Sequence, residues 1–257
     1  MRELGPLSRP QSLTDAVVMH IRDAIINGEL APGQQLAEVN LARKFGTSRG
    51  TVREAVRVLA NLGLVSLTAH HSLSITLLTP QRAREIYTLR ALLESFAARM
   101  AAEDGRIDDA AIAMLQQRQE TLAEAARLGE VGALVDADMQ FHRSLSALAG
   151  HELLLEHLAA IHLHSRRLFI YSDLYEYSDL YGPEFGAIAL RHERLVDTIR
   201  GGDPDTIERA VSDHITEVGR DIVARITTMQ APPAAPVEKE PPVPTAVPGA
   251  AAAAPTA

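Results

Sequence analysis

Between residues 81 and 229 apolar side chains recur at three- and four-residue spacing, and the breaks fall at Gly105, Gly129, Gly150, Gly182-Pro183 and Gly201-Gly202-Asp203-Pro204. Glycine ends helices because it takes the left-handed conformation cheaply, and proline cannot continue one. This punctuation predicts about six helices packed as an all-α bundle. Ahead of Thr79-Pro80 the rhythm differs. Leu13, Val17, Ile21, Ala24 and Ile25 form a helical stripe over residues 11–28, stopped by Gly28. APGQQL (31–36) reads as a turn into a short extended piece. Two short helices follow, over about 38–45 and 49–62, divided by GTS at 46–48. Ser48 is the expected N-cap of the second and Gly63 its stop. LVSLTAHHSLSITLL (64–78) alternates and is rich in β-branched residues, so it predicts a two-stranded hairpin. Helix, helix–turn–helix and hairpin, in that order, make a winged helix.

The expected fold is therefore mainly α. It has a winged helix-turn-helix over residues 1–78, a linker at 79–82 and an all-α domain over 83–229. A Pro/Ala-rich tail over 230–257 holds eight of the fourteen prolines and reads as disordered. A chain of 257 residues with 46% hydrophobic content can build two modest cores. The absence of cysteine excludes disulfides and thiolate metal sites. No stretch approaches the length and apolarity of a membrane span, and the first thirty residues lack a long apolar run. The expectation is a soluble, cytoplasmic protein with no membrane partner.

The formal charge of −8 argues against indiscriminate binding to nucleic acid, but the charge is unevenly spread. Residues 1–78 carry eight basic and six acidic side chains, the remainder seventeen and twenty-seven. Within 43–57, Arg43, Lys44, Arg49, Arg53 and Arg57 face a single acidic residue, Glu54. A recognition helix needs the residues of its first turns free to reach base edges and phosphates. Ser48, Arg49, Thr51 and Arg53 cluster at such a start, while Val52, Ala55, Val56 and Leu59 point inward. Arginine suits both guanine edges and phosphates. A solvated charged helix face has the same composition, so pattern alone leaves both readings open.

EVNLARKFGTSRGTVREAVRVLANLGLV resembles the winged helix of the GntR family of bacterial transcription regulators. The resemblance covers about residues 11–78. It implies that Arg49 and Arg53 are the main DNA contacts, with Ser48, Gly50 and Thr51 near phosphates and Arg43 a weaker candidate. Wings of that family usually carry Arg-Gly near the hairpin tip. This chain has AHHSLS (69–74), where His70 and His71 are the remaining candidates to meet phosphate.

In the second half, DADMQFHRSL (136–145) places Asp138 and His142 one turn apart on the apolar face of Leu134, Phe141, Leu145 and Leu148. His192 shares a face with Ile188, Leu195, Val196 and Ile199. His214 shares one with Ile207, Val211, Ile215, Val218 and Ile222. A single inward histidine is more often a hydrogen-bonded core residue than a ligand. Four inward polar groups on three helices are another matter, because burying each separately leaves several groups unsatisfied. One divalent cation satisfies all four. A His/carboxylate set suits zinc foremost, or nickel, manganese or iron.

YTLRALLESFAARMAA (87–102), DADMQFHRSLSALAGHELL and RHERLVDTIRGGDPDTIERAVSDHI (191–215) resemble the FCD ligand-binding domain of the FadR-type branch of the GntR family. The second segment is similar to its D..FH..L...AGN..L pattern, with His151 in place of Asn. The third is similar to its EH..I..AI..GD...A......H pattern. The resemblance covers about residues 83–229. It implies that Asp138, His142, His192 and His214 are the four metal ligands and that small organic acids are the effectors.

Arg90 shares a face with Ile86, Leu89, Leu93 and Ala97 and is the candidate clamp for an effector carboxylate; an i,i+4 pair with Glu94 is the alternative. His157 and His164, on a stripe with Leu154, Ile161 and Leu168, line a pocket or pack in the core. Arg166 and Arg167 meet an anion or form interhelical ion pairs. The run YSDLYEYSDLY (171–181) remains open between a pocket gate and a dimer contact. The combined expectation is a repressor that binds a palindromic double-stranded DNA operator as a homodimer, controlled by an organic acid at the metal. The rival readings are a metalloenzyme built on the Asp/His set and a regulator with a purely structural metal.

Overall fold

The structure, a computed structural model, describes residues 12–67, 72–174 and 182–230. The first helix, α1 (Leu13–Ile26), starts in a reciprocal cap. Ser12 Oγ accepts the Asp15 N–H at 3.1 Å, and the Asp15 carboxylate accepts the Ser12 N–H at 3.1 Å. Then come β1 (Gln35–Leu36), α2 (Glu38–Lys44), α3 (Arg49–Asn61), β2 (Val65–Leu67) and β3 (Leu73–Ile75). As expected, Ser48 caps α3, accepting the Thr51 N–H at 3.1 Å, and Gly63 follows α3 at φ 69°. Val17, Ile21 and Ile25 of α1 meet Leu41, Val52, Val56, Leu59, Leu64 and Ile75 in one core.

The sheet has one strand more than the hairpin expected from the sequence. β3 lies in the centre of the order β1-β3-β2, with Leu36 opposite Leu73 and Val65 opposite Ile75, all antiparallel. The extended piece after the 31–34 turn joins because Ile75 exchanges backbone hydrogen bonds with it. Its N–H donates to Gln34 O at 2.9 Å, and its carbonyl accepts the Gly33 N–H at 2.9 Å. The wing tip, including His70 and His71, lies outside the described residues.

The second half contains α4 (Pro80–Glu103), α5 (Asp109–Leu128), α6 (Val131–Ala147), α7 (Glu152–Leu174), α8 (Gly182–Arg200) and α9 (Pro204–Gln230). These are the six helices the glycine punctuation predicts, with Gly105, Gly129, Gly150 and Gly202 at positive φ between them. Residues 79–82, read from sequence as a linker, are instead the N-cap and first turn of α4. Thr79 Oγ1 accepts the Arg82 N–H at 3.1 Å and Pro80 opens the helix, a position where its missing donor is harmless. The expected tail lies outside the described residues beyond Gln230.

The most extensive helix contact is α4 against α9. The approach is tight at Gly219, where a Cβ would stand 2.6 Å from Tyr87 Cβ. The two halves meet mainly along α7. Leu163 packs on the winged-helix core, and Arg166 and Arg167 reach backbone carbonyls of the first half.

Candidate functional site

Asp138 and His142 on α6, His192 on α8 and His214 on α9 are all buried, and one ligand atom from each lies within 4.8 Å of the others. Helical spacing explains the convergence: each side chain sits inside its helix's apolar stripe, and the three stripes share one core. His192 Nε2 stands 3.1 Å from Asp138 Oδ1, and His142 Nε2 stands 3.9 Å from the same atom. The two Nε2 atoms are 3.4 Å apart. The His142 and His214 rings stack at 5.2 Å between centroids, and His214 Nε2 is buried without a partner.

The far side of the His192 ring fixes its tautomer. The Ile188 carbonyl can only accept, so His192 Nδ1, 2.9 Å away, carries the proton. His142 Nδ1 lies 2.7 Å from Glu94 Oε2, a contact that orients the ring by charge rather than by a straight hydrogen bond. Lone pairs on two Nε2 atoms and a carboxylate oxygen then face one another in a buried space. With these tautomers the three atoms present their lone pairs to a common point, the arrangement a cation satisfies. Three imidazole nitrogens and one carboxylate oxygen are a donor set for a borderline divalent ion, so the residues present fit a metal.

The local electrostatics keep the donors ligand-ready. Burial pushes the Asp138 carboxyl up, but His142, His192 and Arg90 outweigh it and hold it well below the usual carboxylate range. Burial, reinforced by neighbouring His192 and His142, holds His214 well below the usual imidazole value and so neutral. Burial also lowers His142, against the pull of Glu94.

Two members of this centre escaped the sequence reading. Glu94 is fully buried, with Oε1 accepting Arg90 Nε–H at 2.7 Å and lying 2.8 Å from His162 Nε2. Burial raises the Glu94 carboxyl, and Arg90 and His142 pull it well below its ordinary range. His162 is also buried, although the helical stripe through Leu154, Ile161 and Leu168 points to His157 and His164. The inward face instead includes Leu158, His162 and Ser165, while His157 is exposed and His164 half-buried against Gly63. A broad stripe around Ile161 was the available signal.

Arg90 points inward as expected, although Leu89 does not share its face: Leu89 is 45% exposed and belongs to an outer stripe with Leu92 and Phe96. Arg90 makes the i,i+4 pair with Glu94, yet Nη2 lies 3.5 Å from Asp138 Oδ2 and has no hydrogen-bond partner. Arg166 pairs with Asp136 at 2.6 Å and donates to Ile26 O and Asn27 Oδ1. Buried Arg167 donates to Thr76 O, and burial pushes its guanidinium down to about 10. Neither arginine is at the Asp/His centre. Of the tyrosine run, Tyr171 alone falls within the described side chains, half-buried against the bundle core.

On the winged helix, Arg43, Arg49, Gly50 and Arg53 are exposed. Arg49, Arg53 and Arg57 recur at one-turn spacing and line one groove with Glu38 and Val39 of α2. Arg53 Nη2 lies 3.3 Å from Glu38. Ser48 and Thr51 hold each other at the helix start, Oγ to Oγ1 at 2.9 Å, which ties both hydroxyls to the cap. No helix among the described residues is long and apolar enough to cross a membrane.

A winged helix with an exposed basic recognition helix, joined to a bundle that could hold a metal ion in a buried Asp/His group, defines a DNA-binding transcription regulator. Residues 13–72 match the family described as bacterial regulatory proteins, gntR family, and residues 85–217 match the FCD domain. The chain belongs to the GntR family, in the FadR-type branch with an FCD domain. It is 29% identical to the HTH-type transcriptional regulator LutR of Bacillus subtilis over 218 residues, 76% of this chain and 94% of that one. It is 28% identical to a probable D-xylose utilization operon transcriptional repressor of Paenarthrobacter nicotinovorans over 203 residues, 77% of this chain and 85% of that one. Escherichia coli McbR/YncC has the same fold, with a TM-score of 0.68 at 20% identity over 83% of this chain and 98% of that one. The two curated relatives are transcription regulators, so the metalloenzyme reading is set aside and the chain is a transcription regulator, not an enzyme.

Proposed function

We propose that this regulator is a cytoplasmic repressor whose operator affinity is set by a small organic acid bound at a divalent metal, zinc foremost. Asp138, His142, His192 and His214 hold the metal, and Arg90 meets the acid's carboxylate through Nη2, which makes no hydrogen bond. The facing Nε2 atoms of His142 and His192, 3.4 Å apart beside Asp138, carry this reading. Four protein donors leave coordination positions open on a six-coordinate ion, and a carboxylate oxygen suits them. Repression is the sign named for the D-xylose operon relative.

On the DNA side, Arg49 and Arg53 reach the bases and backbone, Arg43 meets phosphate, and Ser48, Gly50 and Thr51 shape the close approach at the helix start. The protein acts as a homodimer on a palindromic operator. Leu89, Leu92 and Phe96, each 45% exposed or more, form an apolar stripe along α4 that a second copy covers. Glu94 links the metal ligand His142 to His162 on α7, and the next turn of α7 holds the winged helix. Effector binding thereby shifts the spacing of the two recognition helices.

The test is thermal melting and operator binding of the full chain with a panel of organic acids, before and after chelation. A melting shift for an acid that chelation abolishes, matched by altered operator affinity, is the expected result. A large drop on chelation with no response to any acid would make the metal purely structural. No effect of either treatment would overturn the site.

A further inference from the structure

A cavity of about 360 Å³ between α7, α8 and α9 reaches Asp138. Its size lies within the range that small-ligand pockets occupy. Phe169, Ile188 and Ile222 give it apolar walls. Arg191 lines it from α8, next in the chain to His192. The Arg191 Nε is buried and has no hydrogen-bond partner, while Nη1 lies 3.5 Å from Glu217, whose side chain is 58% exposed. A buried guanidinium donor left without an acceptor is costly, and a long contact to a solvated carboxylate does little to offset it. Arg225 and the exposed Asp221 also line the cavity. Arg191 stands where the FCD pattern quoted from the sequence has Glu before the histidine.

A molecule whose carboxylate meets the metal at Asp138 leaves the Arg191 Nε without an acceptor unless it carries a second negative group. We infer that Arg191 is a specificity-determining residue of the effector cavity. It selects an effector with two anionic groups on a short apolar spacer, one carboxylate for the metal centre and a second carboxylate or phosphate for the guanidinium. The inference rests on the organic-acid reading above and narrows it to a ligand class.

Calorimetric titration of the metal-loaded full chain tests it, using glutarate against valerate, adipate against hexanoate, and 3-phosphoglycerate as the phosphate arm. Wild type should bind a dianion at least roughly tenfold tighter than the monocarboxylate of equal length, the scale of one charge-assisted hydrogen bond. Arg191→Gln should bring the dianions down to the level of the monocarboxylates. Arg191→Lys, which keeps the charge, should retain the preference and so separates loss of the group from loss of the fold. A preference for glutarate or adipate names the second group a carboxylate, and one for 3-phosphoglycerate a phosphate. Chelation-sensitive binding with no preference for two charges, or a preference that survives Arg191→Gln, overturns the role of Arg191 alone. Absence of binding by every probe overturns the organic-acid reading and this inference with it.

Discussion

At the scale of single residues, Glu94 stands behind the ligand candidate His142, its Oε2 2.7 Å from His142 Nδ1. Its carboxylate meets Arg90, His142 and His162 in a fully buried position. Groups that hold the far nitrogen of a ligating imidazole set its tautomer and raise its basicity. Glu94→Gln should therefore weaken divalent-metal affinity by about ten- to a hundredfold, measured by competition with a chelating dye. Unchanged affinity would mean that Glu94 only balances the charge of Arg90. Gly219 tests packing instead of chemistry. Alanine is the better helix former, but its Cβ would meet Tyr87 Cβ at 2.6 Å, backbone-proximal atoms with nowhere to swing. Gly219→Ala should lose about 1–3 kcal/mol in urea unfolding, overpacking outweighing propensity.

The residue scale also separates what the chain announces from what it hides. Asp138, His142, His192 and His214 are legible because each interrupts an apolar stripe, and polar groups rarely do so without a partner. Glu94 is not legible: Arg and Glu four residues apart on a helix look the same whether the pair is solvated or sealed in a core. His162 is hidden by its neighbour Ile161, since a helix buried over a wide arc has no single stripe from which to measure phase.

At the scale of elements, α7 connects the halves. His162 touches Glu94 behind the metal ligand candidate His142, and one turn later Arg166 and Arg167 hold the first half. His164 sits between them, its imidazole held below the ordinary value by burial and by Arg82 and Arg167. Arg166→Ala removes the grip on Asp136, Ile26 and Asn27 while leaving the Asp/His group untouched. Metal affinity should persist and the effector-dependent change in operator affinity should shrink, read by fluorescence anisotropy on labelled operator. Full retention of that change would place the coupling elsewhere in the bundle. Helix number and order were legible at this scale because glycine and proline punctuate them. The third strand was not, because two residues are too few to show a period, and β1 owes its existence to its bonds with β3.

At the scale of the whole molecule, an acidic protein has to bring a basic face to DNA. Arg49, Arg53 and Arg57 are exposed on one side of α3, and most of the negative charge lies in the other half. Binding should weaken steeply with salt as condensed counterions are released. Arg49→Ala should reduce the salt slope by about one unit if it meets phosphate, and relax sequence preference if it reads a base. Titration over a salt series with operator and scrambled duplex distinguishes these outcomes. No change in either would remove Arg49 from the interface.

The way α7 holds the winged helix has a consequence for how such a molecule diversifies. Its arginines donate to the carbonyls of Ile26 and Thr76, His164 meets the Leu62 backbone, and Gln230 at the end of α9 donates to Leu78 O. Main-chain carbonyls are present whatever side chains the DNA-reading half displays. Exposed recognition residues such as Arg49 and Arg53 take no part in these contacts, so exchanging them for a new operator should leave the joint intact.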